Sequence, residues 1–271
     1  MQYSQKLFDD NKKLIYAWFS SMFTRVDVLI YADASRTDLI SIAERIETEI
    51  ERIESFANRF DENSEISRLN RNAFIEEFVM SEELFDILTE CQLYSGQVGG
   101  LFDITVNSHN DFRGGIEAIS LNRENHSIRF LHPDLQLDLS GFIKGYSLRV
   151  VRELLKKEHI DNALINAGNS SILALGNHPN GKGWKIRHPD MNTKNDCVLF
   201  NECLTTSGNS EQTKWPVVNP HSGKTIVKKQ SVSVITPDPA IGEILSTALY
   251  IAGNNEKEMI LNQFQAREMV W

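Results

Sequence analysis

The chain has 271 residues, of which 41% are hydrophobic and 24% charged, so it can bury a substantial core and does not have the composition of a disordered protein. Its formal net charge of −9 argues against a general nucleic-acid binder, because such proteins neutralise phosphates with lysine and arginine. The cysteines Cys91, Cys197 and Cys203 form neither a CxxC pair nor an even-numbered framework. They predict reduced, buried thiols rather than a disulfide scaffold or a zinc site.

The opening segment does not resemble a signal peptide. Two aspartates precede its short apolar stretch, and no small-residue cleavage site follows. No run in the chain approaches the roughly 20 apolar residues that span a bilayer. As written, the protein is expected to be soluble and cytoplasmic, with no membrane span; a longer native form would allow export.

The first third of the chain predicts a strand followed by two helices. Val26 to Tyr31 is rich in β-branched and aromatic residues and predicts a strand. Between Asp38 and Phe56, apolar residues recur every three or four positions, which predicts an amphipathic helix. A polar run follows from Asn58 to Asn70, and a helical period resumes from Ser81 to Tyr94.

The rest of the chain alternates short strands with helices. Helices are predicted at 147–158, at about 240–252 and over a segment that ends near Gln265. Strands are predicted at 101–106, in two pieces of 127–141 broken at Pro133, and at ALINAG, WKIR, CVLF and SVSVIT. This order lacks a regular βαβ repeat, so it indicates a single domain over 1–271 with a mixed α+β fold and a mostly antiparallel sheet.

Two local patterns suggest chemistry. GFIKGY, from Gly141 to Tyr146, is a glycine-flanked turn at a helix start, where backbone N–H groups and Lys144 could meet a phosphate. A tight strand-to-helix connection with a solvated lysine is the alternative. Glu243 and Thr247, four apart on a predicted helix, direct two oxygens the same way, as Mg²⁺ prefers. A surface glutamate and an ordinary helical threonine would produce the same spacing.

Several segments in one order give the chain a recognisable family pattern over roughly 20–271. They are MFTRVDVLIY, NRFDENSEISRLN, GGLFDITV, LDLSGFIKGYSLRVVRELL, NALINAG, TTSGNSEQ, VVNPHSG and SVSVITPDPAIGEILSTALYIAG. The set resembles the ApbE family of FAD:protein FMN transferases. The resemblance implies the family's α+β fold and Mg²⁺-dependent transfer of FMN from FAD to a threonine hydroxyl of a flavoprotein acceptor.

The resemblance also implies site residues. Those expected to contact the flavin dinucleotide are Ser64, Glu65, Phe102, Asp103, Thr105, Lys144, Gly145, Asn166, Gly168, Ser207 and Gly208. Magnesium would be held by Glu243, Thr247 and a backbone carbonyl near Gly141. The chemistry implied is phosphoryl transfer, in which positioning and charge stabilisation do most of the work.

Six residues in four segments depart from the family pattern. Pro216 and Asn219 stand where the family usually has the histidine and aspartate of His-Ile-Ile-Asp-Pro, so no catalytic residue is assigned. Asn169 and Ser170 replace Gly-Asp, Glu243 replaces an aspartate, and Phe23 replaces a glycine. If the missing histidine deprotonates the attacking hydroxyl, its loss costs about 10²- to 10⁴-fold in rate.

These departures leave alternatives open. One is a catalytically impaired relative that binds FAD or serves as an interaction module. The other is an FAD pyrophosphatase that releases AMP and FMN without an acceptor. The sequence predicts neither the oligomeric state nor the acceptor.

Overall fold

The computed structural model describes residues 1–8, 11–33, 38–110, 112, 114–187, 197–208, 217–226, 231–264 and 266–270. The strands are β1 (Gln2–Leu7), β2 (Lys12–Ser21), β3 (Thr24–Asp33), β4 (Phe78–Val79), β5 (Ile119–Asn122), β6 (Ser127–Phe130), β7 (Ala163–Ala167), β8 (Ser171–Leu175), β9 (Trp184–Ile186), β10 (Cys197–Leu199), β11 (Glu202–Ser207), β12 (Val232–Thr236) and β13 (Arg267–Val270). The helices are α1 (Leu39–Ala57), α2 (Glu65–Asn72), α3 (Glu82–Gln97), α4 (Ile143–Lys157), α5 (Pro239–Ile251) and α6 (Asn254–Phe264).

The largest element of the described chain is an eight-stranded sheet with the order β1-β2-β3-β7-β8-β11-β12-β13. Every neighbouring pair in it is antiparallel. The β3–β7 pairing joins residues far apart in sequence, with Val26 opposite Ala167. The predicted α+β class and mostly antiparallel sheet are therefore confirmed.

One face of the sheet is covered by α1 and α4. The apolar stripe of α1 is buried from Leu39 to Ala57, and Asp38 caps the helix by accepting from the amides of Ile40 and Ser41. Leu148, Val151 and Leu155 of α4 belong to the same core as the inward residues of β2 and β3. This packing positions α4 across the sheet.

A second core forms around α3 and α5. It contains Leu84 and Leu88 from α3 and Ile244, Leu245 and Leu249 from α5. The N-terminal turn of α4 reaches into this second core through Ile143. The beginning of α4 therefore lies where the two cores meet.

Several sequence predictions are confirmed with small changes in length. The strand at 26–31 lies within β3, the helices at 38–56 and 81–94 correspond to α1 and α3, and all three cysteines are buried and free. The predicted helix at 147–158 begins earlier, at Ile143, so Lys144 and Gly145 lie in its first turn. β1 and α2 were not predicted because their segments are mostly polar, and β2 was not predicted although its apolar run from Leu14 to Phe19 is typical of a strand.

Two predicted strands are wrong. Residues 101–106 form turns, because the Asp103 carboxylate accepts from the amide and hydroxyl of Thr105, both at 2.7 Å, and closes the backbone locally. Residues 135–139 join no strand, because the Asn70 side chain pairs with both the amide and the carbonyl of Leu137, at 2.8 and 3.0 Å.

Within the described residues, no helix is both long and apolar enough to cross a membrane.

Candidate functional site

The first turn of α4 packs tightly against α5. A Cβ atom added to Gly145 would lie 2.3 Å from the carbonyl oxygen of Pro239 and 2.6 Å from Cγ of Glu243. Only glycine allows this approach without displacing backbone. The Gly145 amide donates a hydrogen bond to the Glu243 carboxylate, so the contact also orients that side chain.

The position of α5 is set at its N-terminus. The Asp238 side chain caps the helix by accepting from the amides of Ala240 and Ile241. Arg149 of α4 donates to both oxygens of Asp238 and to both oxygens of Glu90 on α3, at 2.7 to 3.1 Å. One guanidinium therefore connects three helices and fixes the start of α5 relative to α4.

Glu243 and Thr247 lie on α5 one turn apart. Glu243 is 5% exposed and accepts a hydrogen bond from the Ser171 hydroxyl. Burial raises the pKa of Glu243, while the positive charge of Lys144 and the hydrogen bonds from Ser171 and Gly145 oppose the rise. The Thr247 hydroxyl lies 3.1 Å from Ser207 Oγ.

Lys144 and Glu243 are connected by two serines. Lys144 Nζ donates to Ser170 Oγ at 2.6 Å, and Ser170 Oγ lies 3.5 Å from Ser171 Oγ. Ser171 in turn donates to Glu243. The lysine thus has a neutral oxygen as its hydrogen-bond partner, which leaves its positive charge available for an anion.

Lys144, Glu243 and Thr247 face a cavity of about 380 Å³, which we call the α5 chamber. Of the residues predicted to form the site, the ones lining it are Phe102, Asp103, Gly141, Lys144, Ser207, Gly208, Glu243 and Thr247. Ser140, Asp138 and Ser170 line it too and were not predicted. The fold therefore brings together residues that are up to 145 positions apart, from 102 to 247.

A second cavity of about 340 Å³, the hairpin chamber, adjoins the first. Its walls are the β2–β3 turn from Met22 to Thr24, Glu54 and residues 57–60. Asp138, Ser140 and Lys144 line both chambers. The two chambers together form one cleft with these three residues at its waist.

The carboxylate at the waist is already paired. Asp138 is 8% exposed and its Oδ2 lies 2.9 Å from Nε of Arg59 and 2.7 Å from the side-chain nitrogen of Asn107. The Ser140 amide donates to Asp138 Oδ1 at 2.9 Å. Arg59 neutralises Asp138, so Asp138 does not cancel the charge of Lys144, whose ammonium group faces both chambers.

Asp103 is the other carboxylate on the wall of the α5 chamber. Burial raises the pKa of Asp103, and the hydrogen bonds from Thr105 and from the Ile116 amide, with the nearby charge of His221, oppose the rise. Thr105 is 3% exposed and lies behind Asp103. The Thr105 hydroxyl therefore supports the Asp103 carboxylate, and Thr105 does not line the cavity.

A model of the ApbE family matches residues 22–271. The chain belongs to the ApbE family. Among curated relatives, it is 27% identical over 230 residues to the FAD:protein FMN transferase of Chlamydia muridarum, covering 73% of this chain and 71% of that protein. It is 22% identical over 278 residues to the Escherichia coli K12 enzyme of the same name, covering 88% and 78%.

Solved ApbE structures share the fold. The flavin transferase ApbE from Vibrio cholerae superposes with a TM-score of 0.80 at 19% identity, covering 99% of this chain and 94% of that one. The apo form of Pseudomonas stutzeri flavinyl transferase ApbE gives a TM-score of 0.82 at 18% identity, covering 98% and 94%.

Six predicted contact residues of this ApbE-family chain line neither chamber: Thr105 and Gly145, described above, and Ser64, Glu65, Asn166 and Gly168. Ser64 caps α2 by accepting from the Ser67 amide, and Glu65 accepts from the amide and hydroxyl of Ser81 at 2.6 and 2.8 Å. Asn166 pairs with Asn169 in the β7–β8 turn, and Gly168 in that turn has a φ of +66°. Their observed contacts support neighbouring elements.

The position usually taken by the family histidine, Pro216, lies outside the described residues. Asn219, at the family's aspartate position, accepts from the amides of His221 and Ser222 at 2.9 and 3.2 Å. These two hydrogen bonds close a turn, and the side-chain oxygen of asparagine can accept them as well as that of aspartate. His221 Nε2 lies 3.0 Å from the carbonyl oxygen of Gly99.

The α5 chamber offers a donor set suited to a hard cation. No cluster of three or more histidine, cysteine, aspartate or glutamate side chains able to hold a metal occurs in the described parts of the chain. Mg²⁺ does not need one, because it commonly takes one or two carboxylates and completes its shell with water and phosphate oxygens. The pKa of the buried Glu243 carboxylate is raised, so the neighbouring donors and Lys144 do not fully offset the cost of burying its charge. A bound cation would offset the remainder, and Glu243 fits that role together with the Thr247 hydroxyl.

Proposed function

We propose that this chain transfers FMN from FAD to a threonine hydroxyl of an acceptor flavoprotein and that it requires Mg²⁺. The observation that carries the proposal is the two-chambered cleft with Lys144 at its waist. FAD has two planar ends joined by a diphosphate, and a cation between two cavities matches that shape and charge. Membership of the ApbE family and the names of the curated relatives support the same reaction.

Lys144 would pair with the diphosphate. Its position in the first turn of α4 adds the positive end of the helix dipole. Ser140 at the waist adds a hydroxyl within the same region. These groups would position the reacting phosphorus and stabilise its charge, which is the main catalytic contribution in phosphoryl transfer.

Glu243, Thr247 and the backbone at Gly141 would hold the metal. When bound, Mg²⁺ supplies Lewis-acid charge neutralisation on the phosphate oxygens. The residues around Glu243 keep that carboxylate in place, since Ser171 and the Gly145 amide both donate to it. The longer side chain of glutamate is accommodated because Gly145 has no Cβ atom, which would lie 2.6 Å from Cγ of Glu243.

In the reaction, the threonine oxygen would form a bond to the phosphorus of the FMN half while the phosphorus–oxygen bond to AMP breaks. The hydroxyl proton must pass to a base. We assign Asp103 as the candidate acceptor, because it lines the α5 chamber and its raised pKa makes its carboxylate more basic than an exposed one. This would replace the histidine that the family usually has where this chain has Pro216.

The test is to incubate the protein with FAD, Mg²⁺ and a flavoprotein acceptor containing a reactive threonine, and to measure the FMN mass increment on the acceptor. Glu243→Ala should abolish transfer, while Glu51→Ala, which removes an exposed glutamate of α1, should leave it unchanged. AMP release without acceptor labelling would indicate an FAD pyrophosphatase. Tight FAD binding with neither product would indicate a binding module, and no FAD binding would refute all three functions.

A further inference from the structure

The turn between β2 and β3 places two large side chains in a backbone conformation that usually takes glycine or asparagine. Met22 and Phe23 have φ angles of +51° and +57°, and the strand pairing closes at Ser21 and Thr24 on either side. Two-residue hairpin turns with positive φ at both positions favour Asn-Gly, because a Cβ atom crowds the backbone there. The chain therefore keeps an aromatic side chain at position 23 against the local backbone preference.

A carboxylate from α1 holds this turn in place. The Ser21 hydroxyl and the Met22 amide both donate to Glu54 Oε2, at 2.5 and 2.8 Å. Glu54 follows Ile53, which is fully buried in the core. The tip of the hairpin is thus tied to a packed helix, which fixes Phe23 on the wall of the hairpin chamber.

Phe23 forms an aromatic pair with Phe60, which also lines that chamber. Their ring centroids are 5.6 Å apart and the rings are nearly perpendicular. The Arg59 guanidinium lies 4.5 Å from the Phe60 centroid, and its ion pair with Asp138 keeps it there. Phe23 remains 70% exposed and Phe60 47% exposed, although both are large apolar rings.

Exposed apolar rings beside a cavity are typical of ligand contact surfaces. The geometry points to Phe23 as a ring-binding residue: one planar heteroaromatic end of the dinucleotide stacks on Phe23 at the hairpin chamber, with Phe60 supporting the Phe23 ring edge-on. This inference rests on the proposed function, since it assumes a flavin dinucleotide in the cleft. It adds a residue that sets how tightly the planar end is bound.

Phe23→Gly is a clean test, because glycine suits the positive φ at this position and removes only the ring. Binding of FAD, FMN and AMP to the full chain would be measured by calorimetry for wild type, Phe23→Gly and Phe23→Tyr. Phe74→Ala is the matched control, since it removes an exposed ring that lines neither chamber. The thermal midpoint of each variant verifies folding.

We expect Phe23→Gly to weaken FAD binding about tenfold, the usual effect of losing one aromatic stacking partner, with Phe23→Tyr and Phe74→Ala close to wild type. A parallel loss for FMN but not AMP identifies the stacked ring as isoalloxazine, and the reverse identifies adenine. Unchanged or tighter binding of all three by a folded Phe23→Gly overturns the inference. If Phe23-dependent binding occurs without FMN transfer, only the transferase proposal fails; if wild type binds none of the three, both fail.

Discussion

At the residue scale, the cleft depends on how the positive charge of Lys144 is kept available. Lys144 donates to the neutral Ser170 hydroxyl at 2.6 Å, and Asp138, the acid beside it in the waist, is occupied by Arg59 at 2.9 Å. A lysine paired with a carboxylate would attract a phosphate less strongly, because the local charges would cancel. Serine at position 170, where the family usually has an acid, therefore leaves the ammonium group available to a diphosphate.

Lys144→Met should weaken FAD binding about 10- to 100-fold, the effect expected from losing a hydrogen bond to a charged group. Riboflavin has no phosphate, so its affinity should change little. Calorimetric titration of both ligands measures the difference. Lys156→Met, at the exposed end of α4, is the control and should bind both ligands as wild type does. An equal loss for riboflavin would contradict the assignment of Lys144 to the diphosphate.

If Asp103 is the base, the rate of transfer should decline on the acid side of its pH profile, which we call the acid limb. Burial raises its pKa, and a base works only when deprotonated, so the rate should fall as the pH drops through that raised value. Asp103→Asn should lower the rate by about 100-fold or more and remove this limb. The Thr105 donors can still bond to the asparagine oxygen, so the fold should persist. A variant that keeps both the rate and the limb would exclude Asp103 as the proton acceptor.

At the element scale, the site depends on the contact between α4 and α5. Arg149 joins Asp238 at the N-terminus of α5 to Glu90 on α3, and Gly145 lets the two helices touch. Together these contacts set where Glu243 and Thr247 face the chamber. The precision of the proposed metal site is therefore a property of helix packing.

A pair of glycine substitutions tests this packing. Gly145→Ala should destabilise the fold by about 1–3 kcal/mol, because the added methyl meets the Pro239 carbonyl, which is backbone and cannot turn aside. Gly96→Ala in α3 meets nothing within 4 Å and should stabilise by up to about 1 kcal/mol, since alanine favours a helix. Urea denaturation measures both. Transfer should fall only in Gly145→Ala; equal effects of the two substitutions would refute a special contact at position 145.

At the scale of the whole molecule, the cleft lies where two hydrophobic cores meet. α4 contributes Ile143 to the core around α3 and α5, and Leu148 and Val151 to the core under the sheet. Lys144 stands between these residues in sequence and faces both chambers. A ligand in the cleft would therefore contact elements from both cores.

FAD with Mg²⁺ should raise the unfolding free energy of the whole chain. A ligand at about 100 times its dissociation constant adds about 2.7 kcal/mol when it binds only the folded state. Thermal unfolding with FAD should show one transition at a higher midpoint, and EDTA should reduce the shift because it removes the metal expected at Glu243. An FAD-induced shift that is identical with and without EDTA would contradict metal-assisted binding.

Local patterns in the sequence were sufficient for several elements. The apolar stripe of α1, the start of α3 at Ser81 and the Glu243–Thr247 spacing depend on interactions within a few residues, so they could be predicted directly. Polar segments were harder, since β1 is exposed along its length and α2 is mostly polar. The predicted strands at 101–106 and 135–139 failed because side chains of Asp103 and Asn70 satisfy the backbone groups that a strand would pair.

The sequence by itself determined the α+β class, the family and the residue types that the proposed phosphate and Mg²⁺ chemistry would use, because these follow from short-range periodicity and ordered motifs. Only the tertiary structure decided which of those residues meet. It placed Phe102, Lys144, Ser207 and Glu243 around one cavity and directed Ser64, Glu65 and Asn166 into supporting contacts. It also added Arg59 and Asp138 at the waist of the cleft. These placements result from strand pairing and helix packing between distant segments, which no local pattern encodes.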